Sequence, residues 1–196
     1  LSRSLSKEKE FLKFDALNTM QLDEKIRGVV RDVMDYPKPG ILFKDITPVL
    51  AAPALIDEIV QSLAARYQSQ KLDAVVAVEA RGFIFGSILA HALKTRLVLV
   101  RKAGKLPYKT RRQSYALEYG HAEIEIHDDA LEPGWRVLVH DDVLATGGTA
   151  VAAAELCKSF GCEIVEFNFL IGLSFLPGKE KIQSRFGINP YCVVDY

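Results

Sequence analysis

The chain has 196 residues, 49% hydrophobic and 26% charged, with 25 basic residues balanced by 25 acidic ones. That length suits a single domain with a sizeable core, and a formal net charge of zero gives no general pull toward nucleic acid or a membrane surface, so any anion binding must be local. No apolar run approaches the roughly 20 residues that span a bilayer; the stretch Phe83 to Ala92 is interrupted by Gly86, Ser87 and His91, and a cytoplasmic location is expected.

The first nineteen residues are rich in Ser and Lys and lack a strong pattern, and Met20 is a candidate natural start. Arg3, Lys7, Lys9 and Lys13 would suit a transit peptide, but Glu8, Glu10 and Asp15 argue against one. Residues 1–20 are therefore set apart as an extension, and residues 21–196 as one domain. Cys157, Cys162 and Cys192 are odd in number and form no C-x-x-C pair, which predicts buried free thiols rather than a disulfide framework or a zinc site.

Leu22, Ile26, Val29, Val30 and Val33 fall on one stripe at helical spacing, predicting a first helix that ends before Pro37. The rigid turn Tyr36-Pro37-Lys38-Pro39-Gly40 delivers Ile41-Leu42-Phe43 and then Lys44-Asp45-Ile46-Thr47-Pro48. Phe43 suits either the core or stacking on a planar ligand. Ile56, Ile59, Val60, Leu63 and Tyr67 mark a second helix after Pro53.

Ala74-Val75-Val76-Ala77-Val78 reads as the first central strand, and it passes directly into Glu79-Ala80-Arg81-Gly82 and a helix from Phe83 to Leu93. A strand, a short turn with glycine and a helix N-terminus form a place where anions bind, and Arg81 adds charge. The next strand, Leu97 to Val100, runs into a segment from Arg101 to Arg112 with six basic residues, Arg101, Lys102, Lys105, Lys109, Arg111 and Arg112, and no acidic one. Alone this would read as a solvated loop; it leaves the end of a central strand, where ligands collect. His121 to His127 alternates with a period of two, predicting a strand with one wet face, and Pro133-Gly134 turns the chain into the most informative stretch.

That stretch is VLVHDDVLATGGTAV, from Val137 to Val151. Val137, Leu138 and Val139 suit a parallel strand covered on both faces, with Asp141 and Asp142 expected at its end. Ala145-Thr146-Gly147-Gly148-Thr149 then supplies two glycines, two hydroxyls and exposed amides at the mouth of an Ala-rich helix from Thr149 to Phe160, an anion cradle. No lysine follows the glycines as in a Walker A loop, which favours a terminal monophosphate over a polyphosphate. The adjacent carboxylates suit sugar hydroxyls, a general acid/base pair being the rival use. Ile164 to Leu173 reads as another buried strand, Pro177 to Phe186 as a short helix or loop and Tyr191 to Val194 as a last strand, so the expected fold is α/β, an open and mostly parallel sheet with flanking helices.

The stretch VLVHDDVLATGGT resembles the phosphoribosyl pyrophosphate (PRPP) motif of the type I phosphoribosyltransferases. PKPGILFKDITPVL, EARGFIFG, VRKAGKLP and YALEYG are similar, in order and spacing, to the adenine-specific branch, over about Asp23 to Leu173. The resemblance implies the type I phosphoribosyltransferase fold with a small hood, mainly residues 36–50, and a flexible lid at Leu106 to Tyr119. It implies transfer of the 5-phosphoribosyl group from PRPP to N9 of adenine, giving AMP and pyrophosphate, with Mg2+ carried by PRPP and no metal ligand from the protein.

By resemblance, Ala145, Thr146, Gly147, Gly148 and Thr149 hold the 5-phosphate, and Asp141 and Asp142 the ribose hydroxyls. Glu79, Ala80, Arg81 and Gly82 form the pyrophosphate loop, with a cis peptide at Glu79-Ala80, and Arg101, Lys102 and Lys105 meet pyrophosphate charge. Leu42, Phe43 and Lys44 read adenine, with Leu173 on its opposite side. Glu118 handles the proton at N7 or N9, and Tyr119 positions the lid. Some basic residues of such enzymes reach the neighbouring subunit, so a homodimer is expected. Lys44 stands where arginine is common, Gly172 where glutamate is common and His140 where an apolar residue is usual; His140 is expected to be structural. A phosphoribosyltransferase for another base, such as xanthine, and a non-catalytic PRPP-binding regulator are the competing readings.

Overall fold

The structure, a computed structural model, describes residues 22–116 and 120–196. The chain divides into two compact units, with the boundary between Ser62 and Leu63. The first unit holds helix α1 (residues 22–29), the antiparallel pair β1 (Arg31–Met34) and β2 (Leu42–Asp45), the short α2 (Thr47–Leu50) and the first part of α3 (Pro53–Tyr67). The helical stripe expected to run to Val33 stops at residue 29: Leu22 and Ile26 are buried as predicted, but Val33 lies opposite Phe43 in the β1–β2 ladder. The β-branched Val29, Val30 and Val33 satisfy a helical period, and it is the distant partner strand that decides between helix and strand. Between the strands lie the cis Tyr36-Pro37 bond and Gly40 at φ 84°, with the Gly40 amide donating to Asp35 Oδ1 at 2.7 Å.

The second unit is built on a seven-stranded sheet of order β5-β6-β4-β3-β7-β8-β9. Its strands are β3 (Ala74–Val78), β4 (Arg96–Lys102), β5 (Thr110–Ala116), β6 (His121–His127), β7 (Arg136–Leu144), β8 (Glu163–Gly172) and β9 (Tyr191–Asp195), with α4 (Gly82–Ala92), α5 (Gly148–Ser159) and α6 (Gly178–Phe186) between them. Strands β4, β3, β7, β8 and β9 run parallel, and β6 and β5 extend the sheet antiparallel beyond β4. The mostly parallel sheet matches the expectation. The segment expected as a flexible lid contains β5, paired with β6 from Thr110↔His127 to Ala116↔His121.

Burial follows from two covered faces. All five residues of β3 are buried; Val76 and Val78 join Val137, Val139, Ala153 and Phe167 in the main core cluster. On the other face α4 comes close through Gly86, whose added Cβ would meet Ala77 Cβ at 2.7 Å and His140 Cδ2 at 3.2 Å. A larger residue there would force the helix off the sheet. Cys157 and Cys162 are buried, Cys192 is partly buried, and all three are free. Burial drives the Cys157 thiol pKa upward and pushes that of Cys192 up to about 12.

Candidate active site

From β3 the chain crosses to β4 on one side, and from β7 it crosses to β8 on the other, so the adjacent parallel strands β3 and β7 form the switch point of the sheet. Helices starting there leave a crevice beyond the carboxyl ends of the strands, where open α/β sheets bind ligands. Both turns singled out in the sequence, Glu79 to Gly82 and Ala145 to Thr149, start from these two strands.

Asp141 and Asp142 lie within β7, which continues to Leu144, rather than at its end. The β3 ladder, however, stops at His140, so beyond it β7 is free of its β3 neighbour while still paired with β8. Arg81 Nε lies 2.7 Å from Asp142 Oδ2, joining the turn after β3 to β7; the contact is a close ion pair without hydrogen-bond alignment, since that oxygen accepts no hydrogen bond. The Asp142 amide donates to Asp141 Oδ1 at 2.8 Å, and α4 can approach because residue 82 is glycine: a Cβ there would lie 2.8 Å from Asp141 Oδ1. Burial first, and then the Asp142 charge, push the Asp141 pKa well up. Burial also raises that of Asp142, against the pull of Arg81.

The Glu79-Ala80 peptide is cis, as expected. The Glu79 side chain turns to the neighbouring strand, where it accepts from Arg101 Nε at 3.1 Å, Arg101 Nη2 at 3.2 Å and the Lys102 amide at 3.0 Å. Burial alone would raise its pKa; the Arg101 hydrogen bond, the Lys102 amide and the charges of Arg101 and Lys105 outweigh it and hold the carboxyl low. Arg101 Nη1 also donates to the Lys105 carbonyl at 2.9 Å. Lys102 and Lys105 are exposed. The basic segment is less concentrated than its sequence suggests, because Arg111 pairs with Asp128 and Arg112 with Glu123 and Glu125.

At the cradle, Gly147 caps α5 in the left-handed region at φ 73°, which glycine adopts without steric cost, and Gly148 opens the helix. The first amides of a helix lack intrahelical partners and face outward as donors. Two side chains missed in the sequence also meet this place. Thr149 Oγ1 donates to Tyr115 Oη at 3.2 Å, and a Cβ on Gly148 would lie 3.4 Å from Tyr115 Cδ2 and 3.8 Å from Lys181 Nζ. Gly178, at the start of α6, lies so close that a Cβ would collide with the Ala145 carbonyl oxygen. The lysine absent from the glycine turn thus arrives from another helix, a proximity no local spacing reveals. Leu173 follows β8, its amide donating to the Leu144 carbonyl at 2.9 Å.

Leu42, Phe43 and Lys44 lie on β2 of the first unit. The Phe43 ring packs edge-on to Tyr36 with centroids 5.1 Å apart, and buried Lys44 reaches Asp32 Oδ1 at 2.6 Å. Glu118 and Tyr119 lie outside the described residues. His140 is fully buried, with Nδ1 2.6 Å from Asn168 Oδ1, and burial lowers its pKa to about 4.

Residues 45–186 match the family model described as the phosphoribosyl transferase domain. An adenine phosphoribosyltransferase from Syntrophotalea carbinolica is 55% identical over 159 residues, covering 81% of this chain and 93% of its own length. The chain belongs to the adenine phosphoribosyltransferase family. It is an enzyme of that type. The solved adenine phosphoribosyltransferase of Rhodothermus marinus is similar at 46% identity and a TM-score of 0.85, covering 90% of this chain and 99% of its own. The Saccharomyces cerevisiae adenine phosphoribosyltransferase, solved with adenine and an imino-altritol bisphosphate, is similar at 34% identity and a TM-score of 0.82, covering 89% of this chain and 99% of its own.

Proposed function

We propose that this chain transfers the 5-phosphoribosyl group of PRPP to N9 of adenine, giving AMP and pyrophosphate in purine salvage. The observation that carries this reading is the pair of turns at one switch point, with Asp141, the buried Asp142 and Arg81 beside them. Such a crevice suits a ligand with phosphate at both ends and a diol in the middle. The base is chosen elsewhere, and membership of the adenine-specific family supports adenine.

In this reading the amides and hydroxyls of Ala145 to Thr149 bind the 5-phosphate, and Asp141 and Asp142 accept hydrogen bonds from the ribose hydroxyls. The turn Glu79 to Gly82, with Arg101, Lys102 and Lys105, binds the pyrophosphate and stabilises it as it leaves. The bond from C1 to the pyrophosphate oxygen breaks, N9 attacks the oxocarbenium-like sugar, and Glu118 handles the proton of the base through N7 or N9. Tyr119 helps close the segment from Leu106, which keeps water from competing with N9. Leu42, Phe43, Lys44 and Leu173 are assigned to adenine, with residues 36–50 as the hood and residues 1–20 outside the catalytic domain.

A hard divalent cation takes about six oxygen ligands. Asp141 and Asp142 are carboxylate oxygen donors of the kind such an ion takes, and in this reading Mg2+ comes with PRPP, which brings most of its ligands. Bound in this way, Mg2+ would offset diphosphate charge. Among the described residues no helix is long and apolar enough to cross a membrane. A cytoplasmic homodimer is the working form in this reading, on the strength of the family resemblance, and light scattering of the purified chain tests the assembly.

A panel of adenine, hypoxanthine, guanine and xanthine with PRPP and Mg2+ tests the function. AMP and pyrophosphate are expected with adenine; no turnover with adenine overturns the proposal, and turnover with xanthine alone replaces its acceptor. Glu118→Ala is expected to lower kcat by about 10²-fold, and an unchanged rate removes Glu118 from proton transfer.

A further inference from the structure

Alternation along His121 to His127 predicts that Glu125 faces water, yet it is 1% exposed. Burying an ionised carboxylate is costly unless its oxygens are satisfied, and here both are. Oε1 accepts the Lys105 amide at 3.0 Å and the Leu106 amide at 2.9 Å, while Oε2 accepts the Thr110 hydroxyl at 3.1 Å and lies 3.2 Å from Arg112 Nε. Burial alone would raise its pKa; the Leu106 amide, the Thr110 hydroxyl, the Lys105 amide and the Arg112 charge outweigh it and keep the carboxyl low.

The position of Glu125 in the sheet gives these bonds their reach. It stands opposite Arg101 in the β4–β6 ladder and opposite Arg112 in the β5–β6 ladder, so an Arg–Glu–Arg row crosses three strands. The turn after β4 is gripped from two directions: Arg101 donates to the Lys105 carbonyl, and Glu125 accepts the Lys105 amide. Because Arg101 also holds Glu79, a continuous chain of hydrogen bonds runs from the cis Glu79-Ala80 turn through Arg101 and Lys105 to Glu125 and the first residue of β5.

We propose that Glu125 is a positioning residue for pyrophosphate: it fixes the Lys105–Leu106 turn so that its basic residues are held ready, and it ties that turn to the β5–β6 arm. An apolar residue could fill the same space without the desolvation cost. It could neither accept the two turn amides nor offset the repulsion among Arg101, Lys105 and Arg112. The role rests on the reading of Arg101, Lys102 and Lys105 as pyrophosphate-binding residues, whereas the tether itself does not.

Two variants of the full chain, Glu125→Ala and Glu125→Gln, separate these points. Hydrogen exchange at the Lys105 and Leu106 amides reads the tether, and calorimetry with pyrophosphate and with AMP reads the consequence. Glu125→Ala is expected to speed exchange at both amides and weaken pyrophosphate binding by about tenfold, as loss of hydrogen bonds to a charged group implies, with AMP affinity unchanged. Glu125→Gln keeps one carbonyl oxygen for the two amides and should lose less, and it carries the test if the alanine variant does not fold. Unchanged exchange overturns the tether. Faster exchange with unchanged pyrophosphate affinity, or an equal loss for AMP, overturns the positioning role. A wild-type chain that binds no pyrophosphate overturns that role together with the proposed function, and the tether is then judged by exchange alone.

Discussion

Arg81 reaches across from the turn after β3 to lie 2.7 Å from the Asp142 carboxylate on β7. The contact links the turn after β3 to strand β7, and it sets a cation beside two carboxylates that burial pushes toward protonation.

Asp142→Asn is expected to weaken PRPP binding by roughly 10-fold to 100-fold, the loss of one charge-assisted hydrogen bond in a buried site. Calorimetry with PRPP and Mg2+ measures it, and wild-type affinity would argue against contact with the diol.

The raised pKa values of the aspartate pair also give PRPP binding a direction with pH. Acceptance of hydroxyl hydrogens needs ionised carboxylates, so affinity should fall on acidification at a higher pH than an ordinary carboxylate would produce. For stability the sign is opposite: a raised carboxyl pKa contributes stability at low pH that is lost as pH rises through the folded value. A PRPP titration across pH 4 to 8, roughly the range below and above a perturbed carboxylate, decides whether affinity follows this course.

His140 contributes the reverse linkage. Its pKa falls from 6.5 to about 4 because burial disfavours the imidazolium, so its stability contribution is present above 6.5 and is lost as pH falls toward 4. At 1.36 kcal/mol per unit, the wild type should lose on the order of 3 kcal/mol relative to His140→Gln across that interval. Denaturant unfolding of both proteins at several pH values reads the difference, in which the aspartate contribution cancels; parallel pH profiles would remove His140 as the source.

Gly178→Ala tests the contact of α6 with the phosphate cradle. The added Cβ would collide with the Ala145 carbonyl oxygen and lie 2.8 Å from Leu144 Cδ1, so the variant should lose about 1–3 kcal/mol of stability and show a higher KM for PRPP. A normal melting temperature and KM would mean that α6 yields without disturbing the cradle.

Much of this was legible in local pattern. Ala74 to Val78 forms the predicted strand, the Ala-rich helix follows Gly147 as its composition required, and the family motif marked a cis bond at Glu79-Ala80. Elsewhere local pattern misled. Val33 fitted a helical stripe but entered a ladder with β2. Glu125 fitted a wet strand face but was covered by a turn twenty residues earlier in the chain. Local pattern also left unseen that the expected lid contains β5, because the pairing partner β6 lies beyond the segment itself. Glu118 and Tyr119 fall outside the described residues, and their roles rest on the proposal.

The sequence by itself determined the strand–turn–helix units, the anion-binding character of their turns and the family, because each depends on residues close together along the chain. Only the tertiary structure decided that the two turns share one switch point, that Arg81 meets Asp142, that Lys181 and Tyr115 come to Gly148, and that Glu125 is buried among amides. Those relationships depend on strand order and on which faces become covered, and burial turns them into energies: a carboxylate on an open strand interacts weakly with its neighbours, whereas one removed from water must be satisfied by groups that the fold brings from elsewhere.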